Sequence, residues 1–207
     1  MQLKTLAVLV ALAIGPGWAA AQGAPKSSGA ASSDSSMTGG RAAPAVQPAT
    51  NKDDKLSRSD RKFIEDAAGD GMYEVQAAQI AASKARSPDV KSFASKMVGD
   101  HQNANNDLVQ IANAKKVELP TAPPRGKRHE IETLGKKSGA GFDKLFVKAS
   151  VSDHEKDVKK FEKAAGKVQD PDLKAWVQKT LPVLREHLAM ARQLEGNENS
   201  AAAMGSR

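Results

Sequence analysis

Three long stretches of the sequence carry apolar residues at alternating spacings of four and three, which is typical of a helix with one buried face. Each stretch has one histidine on that face. The three seams are Val90, Ala94, Met97, His101, Ala104, Leu108 and Ile111; Val147, Val151, His154, Val158, Phe161, Ala165 and Val168; and Leu173, Val177, Thr180, Leu184, His187, Ala191 and Leu194. The pattern predicts three amphipathic helices whose inward faces each carry an imidazole.

A fourth helix is predicted before these, from about residue 60 to residue 85, with Ser57 or Ser59 as its N-cap. Two faces of this helix compete for the core. One face consists of Phe63, Ala67, Asp70, Glu74, Ala77 and Ala81. The other face consists of Ile64, Ala68, Val75 and Ala82. The first would turn Glu74 inward, and the sequence leaves the choice between the two faces open.

Short turns and one longer connector separate these helices. The turns Ser87-Pro88-Asp89 and Asp170-Pro171-Asp172 each combine a capping side chain with a proline suited to the first helical position. Residues 121–141 are rich in proline and glycine and predict a connector with a short helix at about 128–137. Pro182 lies inside the last helix and should bend it or remove a backbone hydrogen bond. The pattern therefore predicts an all-α four-helix bundle.

The seam histidines and Glu74 are expected at similar heights in this bundle. Glu74 lies 13 residues before the first turn and His101 lies 14 after it, while His154 lies 16 before the second turn and His187 lies 17 after it. If the connector crosses the bundle, the turns lie at opposite ends and both pairs fall near mid-height. If both turns lie at one end, the pairs differ in height by about 4–5 Å.

Either arrangement brings one carboxylate and three imidazoles within reach of one another. Such a set suits a single divalent ion such as Zn, Mn, Fe or Cu, so Glu74, His101, His154 and His187 are the predicted metal ligands. The alternative is a structural polar layer, in which each histidine bonds Glu74, Asp70, Asp157 or a water and fixes the helix register. No catalytic set is recognised, so we expect a binding protein rather than an enzyme.

The two ends of the chain predict different behaviour from the bundle at 57–195. Residues 1–21 combine Lys4, a short apolar run and the small residues Ala19-Ala20-Ala21, which indicates a signal peptide and an exported, periplasmic or envelope-associated protein. No later segment is apolar enough to span a membrane. Residues 22–56 form a linker rich in Ala, Ser, Gly and Pro, and this linker and the tail at 196–207 are predicted to be disordered.

Composition adds two constraints. The chain of 207 residues has no cysteine, which excludes disulfides, thiolate metal ligands and a cysteine nucleophile. Its net charge of +7 is concentrated between residues 115 and 148, where nine basic residues face four acidic ones. We expect this region either to be a solvated loop or to bind an anionic envelope surface or polymer through Lys115, Lys116, Arg125, Lys127, Arg128, Lys136 and Lys137. No recognition motif for nucleic acid is present.

Several segments resemble an exported bacterial family of unknown function, DUF4142, whose members are often labelled predicted outer-membrane proteins. The segments are SPDV followed by MVGDH, then GAGFD, and then LPVLREH. The resemblance covers about residues 60–194 and implies a ferritin-like antiparallel four-helix bundle and an exported location, but no activity. The chain departs from the di-iron pattern of ferritin-like proteins, which has Glu-x-x-His on two helices, because Val98, Val151 and Leu184 stand three residues before the histidines.

Overall fold

The computed structural model describes residues 56–205, and the side chains up to residue 197. This part of the chain contains five helices and no strand. The helices are α1 (Arg58–Lys84), α2 (Pro88–Ala114), α3 (Arg125–Lys136), α4 (Gly139–Lys167) and α5 (Pro171–Gly205). The predicted signal peptide and almost all of the predicted linker lie outside the described residues. No helix in the described part is long and apolar enough to cross a membrane.

The helix boundaries follow the capping residues. Ser57 Oγ accepts a hydrogen bond from the amide of Asp60 at 3.0 Å, and Ser87 Oγ accepts one from Val90 at 3.4 Å. Asp170 Oδ1 accepts one from the amide of Leu173 at 3.0 Å, one turn into α5. The two proline-containing turns therefore act as predicted.

Two helix ends differ from the prediction. α2 ends at Ala114, before the predicted connector begins at residue 121, because the amide of Val117 bonds back to Ala112 and Lys116 adopts a positive φ of 54°. These bonds form a Schellman motif, which closes the last turn. α5 runs on to Gly205, through most of the tail that the sequence predicts to be disordered. Its last turns contain three successive alanines, which have the highest intrinsic helix propensity.

The four long helices form an antiparallel bundle. α1 packs mainly on α2 and α4 mainly on α5, and the contacts of α2 with α5 and of α1 with α4 close the ring. The connector crosses the length of the bundle, and α3 within it lies against α1 and α4. The two turns consequently lie at opposite ends, which is the arrangement that puts the seam histidines near mid-height. The predicted all-α fold, with a short extra helix in the connector, is confirmed.

A buried aspartate holds each turn in place. Asp60, in the first turn of α1, accepts hydrogen bonds from the amides of Gln169 and Asp170, both at 3.2 Å. Asp143, near the start of α4, accepts them from Arg86 at 2.9 Å and Ser87 at 2.7 Å. We call these two side chains the end clamps, because each ties the start of one hairpin to the turn of the other.

The apolar core divides into two clusters. The cluster around Leu108, Phe161 and Trp176 occupies the end held by Asp60, and the cluster around Phe93, Phe142 and Phe146 occupies the end held by Asp143. Between them the inward faces of α1, α2, α4 and α5 carry polar side chains instead. This middle layer contains the residues that the sequence marks as candidate ligands.

Candidate metal centre

Three imidazole rings meet in the middle of the bundle. The ring centroids of His101, His154 and His187 form a nearly equilateral triangle with sides of 5.5, 5.3 and 5.1 Å. Each ring comes from a different helix, and one potential ligand nitrogen from each lies within 4.8 Å of the other two. His154 and His187 have no exposed surface, and His101 is 5% exposed. The three rings are thus almost fully buried.

Glu74 completes the group from α1. It is 6% exposed, so the structure turns inward the face of α1 that carries it. Its Oε2 lies 3.1 Å from His101 Nδ1, and its Oε1 lies 3.8 Å from His154 Nε2. Gly71, one turn earlier, lets α1 approach α2 here, since a Cβ at that position would lie 2.1 Å from Asn105 Oδ1.

The outward nitrogens of two of the rings are held by acceptors. His154 Nδ1 lies 2.9 Å from the carbonyl oxygen of Ser150, which can only accept, so this nitrogen carries the proton. His187 Nε2 lies 2.8 Å from Asp100 Oδ2. Burial acts to raise the pKa of Asp100, but hydrogen bonds from Lys96 and His187 outweigh it and hold the pKa below its usual value. Asp100 is therefore a carboxylate, and its Oδ2 accepts a hydrogen bond from the N–H at His187 Nε2.

These tautomers leave the inner nitrogens without protons. His154 Nε2 and His187 Nδ1 face each other at 3.3 Å, each with a lone pair. His101 Nε2 and Glu74 Oε1 are also buried and have no hydrogen-bond partner among the described residues. Buried polar atoms without partners are rare and costly. Two atoms of this cluster therefore have no hydrogen-bond partner among the described residues, and two more face each other with their lone pairs.

One distance in the cluster matches what a metal ion requires. Two nitrogen ligands at about 2.0–2.1 Å from a tetrahedral ion lie about 3.3 Å apart. His154 Nε2 and His187 Nδ1 already have this separation. Ligating histidines usually donate their other ring N–H to a carboxylate or a backbone carbonyl, and Asp100 and Ser150 supply those two acceptors.

Burial also sets the charge of the cluster at neutral pH. It lowers the pKa of His101, His154 and His187 to about 4, so the imidazoles are neutral. It raises the pKa of Glu74 to about 7, against the opposing attraction of His154, and the pKa of Asp157 to about 8. Protons on the imidazoles therefore do not fill the centre at neutral pH. A cation would favour the charged form of the Glu74 carboxylate.

Asp100 and Ser150 are the members of this site that sequence reasoning missed. Asp100 precedes His101, and the helical rotation turns it about 100° away from that histidine. The same rotation directs it to His187 on α5, which the chain order does not reveal. The acidic residue beside a seam histidine is a usable signal only after the neighbouring helix is known.

Two of the predicted anion-binding residues form ion pairs within the chain. Lys115 lies at the end of the bundle held by Asp60, where it pairs with Asp170 at 2.7 Å and Asp172 at 2.8 Å. Lys127 pairs with Asp153 at 2.7 Å on the side of the bundle. The other five are Lys116, Arg125, Arg128, Lys136 and Lys137. Anion binding by this set stays a prediction.

Comparison with known families identifies the chain. Residues 45–194 match the family described as "Domain of unknown function (DUF4142)". The chain belongs to the DUF4142 family. No curated protein matches the sequence. Membership of the DUF4142 family confirms the resemblance seen in the sequence, and it assigns no activity to the three histidines.

Two solved structures share the fold of this DUF4142 protein. One is described as a candidate secreted DUF305 protein from Streptomyces coelicolor, with 12% identity over 68% of this chain and 92% of that chain, at a TM-score of 0.60. The other is described as a candidate spore coat protein from Bacillus halodurans, with 14% identity over 70% of this chain and 90% of that chain, at a TM-score of 0.56. At such identities the likeness shows the fold alone.

Proposed function

We propose that this protein is an exported helical bundle that binds one divalent metal ion between His101, His154, His187 and Glu74, and that it acts by binding rather than catalysis. The observation that carries the proposal is the pair of facing lone pairs on His154 Nε2 and His187 Nδ1, 3.3 Å apart. A cation between them would remove the repulsion of the two lone pairs.

The donor set indicates the class of metal. Imidazole nitrogen with one carboxylate oxygen suits Zn, Cu, Fe or Mn and does not suit Ca or Mg, which prefer all-oxygen sites. With one glutamate among the four proposed ligands, the site favours a single ion over a carboxylate-bridged pair. Three imidazoles and one carboxylate make a tetrahedral set, as in many zinc sites.

A structural polar layer is the competing function for the same residues. Such a layer would need each buried polar atom to find a partner, because half-satisfied networks are less stable than an apolar core. Glu74 Oε1 and His101 Nε2 have none among the described residues. This observation favours the metal-binding alternative.

Two features support export. Residues 1–21 have the pattern of a signal peptide, and the similar protein from Streptomyces coelicolor is described as a candidate secreted protein. Cell fractionation and the intact mass of the native protein test this part. A periplasmic protein beginning at Gln22 supports it, and a cytoplasmic protein that retains Met1 to Ala21 contradicts it.

The metal content of protein purified without an affinity tag tests the binding. We expect one equivalent of a transition metal or zinc in the wild type, and less than a tenth of that in the triple variant His101→Ala, His154→Ala, His187→Ala. His129→Ala is the matched control, because His129 is the fourth histidine and its side chain is 80% exposed on α3. Substoichiometric metal in the wild type after reconstitution, or unchanged metal in the triple variant, contradicts the proposal.

A further inference from the structure

The cluster of histidines approaches the surface on two faces of the bundle, and the face between α1 and α4 is closed. There α3 covers the site: Tyr73 donates to Glu130 at 3.0 Å, and Lys127 bonds Asp153 at 2.7 Å while lying 4.3 Å from the centre of the Tyr73 ring. The cavity behind this cover has a volume of about 10 Å³. That is room for about one water molecule.

The face between α2 and α5 is open. A groove of about 520 Å³ runs between these helices, and its lining includes His101. His101 Nε2 is buried and has no partner in the described part of the chain. His101 therefore lines the groove and also carries a potential ligand atom that has no partner among the described residues.

The wall formed by α2 carries oxygen ligands along the length of the groove. Asp100, Asn103 and Asp107 stand at i, i+3 and i+7, so they form one stripe about 10 Å long on the same side of the helix. Thr180 faces them from α5. Carboxylate, amide and hydroxyl oxygens suit a partly hydrated divalent cation.

Asp100 links this stripe to the site. Both of its hydrogen bonds, from Lys96 at 2.9 Å and from His187 at 2.8 Å, are made by Oδ2. Its Oδ1 makes no hydrogen bond to the rest of the described chain and stays available to a cation. The same carboxylate that orients His187 can thus hold an ion one step before the histidines.

An ion pair spans the outer part of the groove. Lys179 Nζ on α5 lies 2.7 Å from Asp107 Oδ2 on α2, with side chains that are 73% and 44% exposed. Its positive charge opposes the approach of a cation and competes for Asp107. An exposed pair of this kind contributes little to stability, so it can open at little cost.

We propose that the groove between α2 and α5 is the route by which a hydrated divalent cation reaches the three histidines, with Asp107 at its outer end, Asp100 at its inner end and Lys179 as a restraining charge. This inference rests on the proposed metal site. According to this proposal, the rate of metal exchange depends on groove residues that are not ligands of the bound metal.

Loading kinetics separate the route from the site. Metal-free, untagged protein is mixed in a stopped-flow instrument with Zn²⁺ held by a fluorescent zinc indicator, and the dissociation constant is measured separately at equilibrium. The variant Asn103→Trp places an indole in the groove from an exposed position, and Gln102→Trp is the control, since Gln102 is exposed on the same helix and does not line the groove. The variant Lys179→Glu reverses the restraining charge.

We expect Asn103→Trp to slow both loading and release about tenfold with an unchanged dissociation constant, and Gln102→Trp to match the wild type. We expect Lys179→Glu to speed loading about tenfold at low salt, with the gain falling as the ionic strength rises. If the wild type and the three variants bind zinc at the same rates, the proposed route is wrong, but the proposed metal site is not contradicted. No zinc binding by the wild type overturns both.

Discussion

The ends of the bundle and its middle both bury acidic side chains, but they satisfy them in different ways. At the ends, Asp60 and Asp143 each accept hydrogen bonds from two backbone amides, so both side chains have partners within the chain. In the middle, Glu74 Oε1 and His101 Nε2 have no partner in the described structure, and two imidazole lone pairs face each other. The comparison separates buried polar groups that have partners within the chain from buried polar groups that have none among the described residues.

The first prediction breaks an end clamp. Asp143→Ala leaves the buried amides of Arg86 and Ser87 without an acceptor and should lower the free energy of unfolding by about 2–3 kcal/mol, as measured by urea denaturation. Metal affinity should not change, because the clamp lies at the end of the bundle. Asp89→Ala, at an exposed position of the adjacent turn, is the control. If Asp143→Ala is as stable as the wild type, the hydrogen bonds that Asp143 accepts do not stabilise the turn.

The second prediction breaks the middle. Zinc at 100 times its dissociation constant should raise the free energy of unfolding of the wild type by about 2.7 kcal/mol. His154→Leu should remove this increment, and its metal-free form should be about as stable as the metal-free wild type, since an apolar side chain replaces an acceptor that lacks a donor. His129→Leu should keep the full increment. An equal increment in His154→Leu would contradict the assignment of this ring as a ligand.

The third prediction sharpens the role of Asp100. Asp100→Asn should lower metal affinity about 10- to 100-fold, the range found when the acceptor behind a ligating histidine is replaced. Asp107→Asn should leave the equilibrium affinity unchanged, because Asp107 touches none of the three histidines. Titration calorimetry measures both. Equal affinities in the wild type and Asp100→Asn would show that the orientation of His187 does not depend on this carboxylate.

The fourth prediction is a pH effect of at most about 1.4 kcal/mol per pH unit for one histidine. Burial lowers the pKa of His154 to about 4 in the folded protein, from an ordinary value of 6.5. Between these values the unfolded chain binds a proton at this residue and the folded chain does not, so stability falls as the pH drops. The metal-free wild type should thus lose stability relative to His154→Leu from pH 6.5 to 4. A constant difference over this range would mean that the imidazole is not held neutral.

Much of the fold could be predicted because local signals agree with one another. The apolar seams, the serine and aspartate caps and the two proline-containing turns all indicate the same four long helices. The end of α2 and the clamps could not be predicted. The clamps depend on hydrogen bonds that Asp60 and Asp143 accept from backbone amides across the bundle, and no spacing within one helix reveals those. The end of α2 is a local Schellman motif, but its left-handed residue is Lys116 rather than the glycine that usually marks such an end.

The candidate site could be predicted in part for the same reason. Heptad spacing places His101, His154 and His187 on inward faces, and counting from the turns puts them at similar heights. The choice between the two faces of α1 could not be predicted, because the packing buries residues of both: Glu74 is 6% exposed and Ile64 is 0% exposed. The role of Asp100 needed the position of α5, since its partner is 87 residues away in the chain.

X-ray absorption spectroscopy of the zinc-loaded protein tests the central claim most directly. We predict a first shell of four nitrogen and oxygen ligands at about 2.0–2.1 Å with the outer-shell scattering of three imidazoles. We predict one imidazole fewer in His154→Leu loaded at a zinc concentration high enough to saturate its weakened site. A first shell of oxygen alone, or an imidazole signal that is the same in His154→Leu as in the wild type, would contradict it.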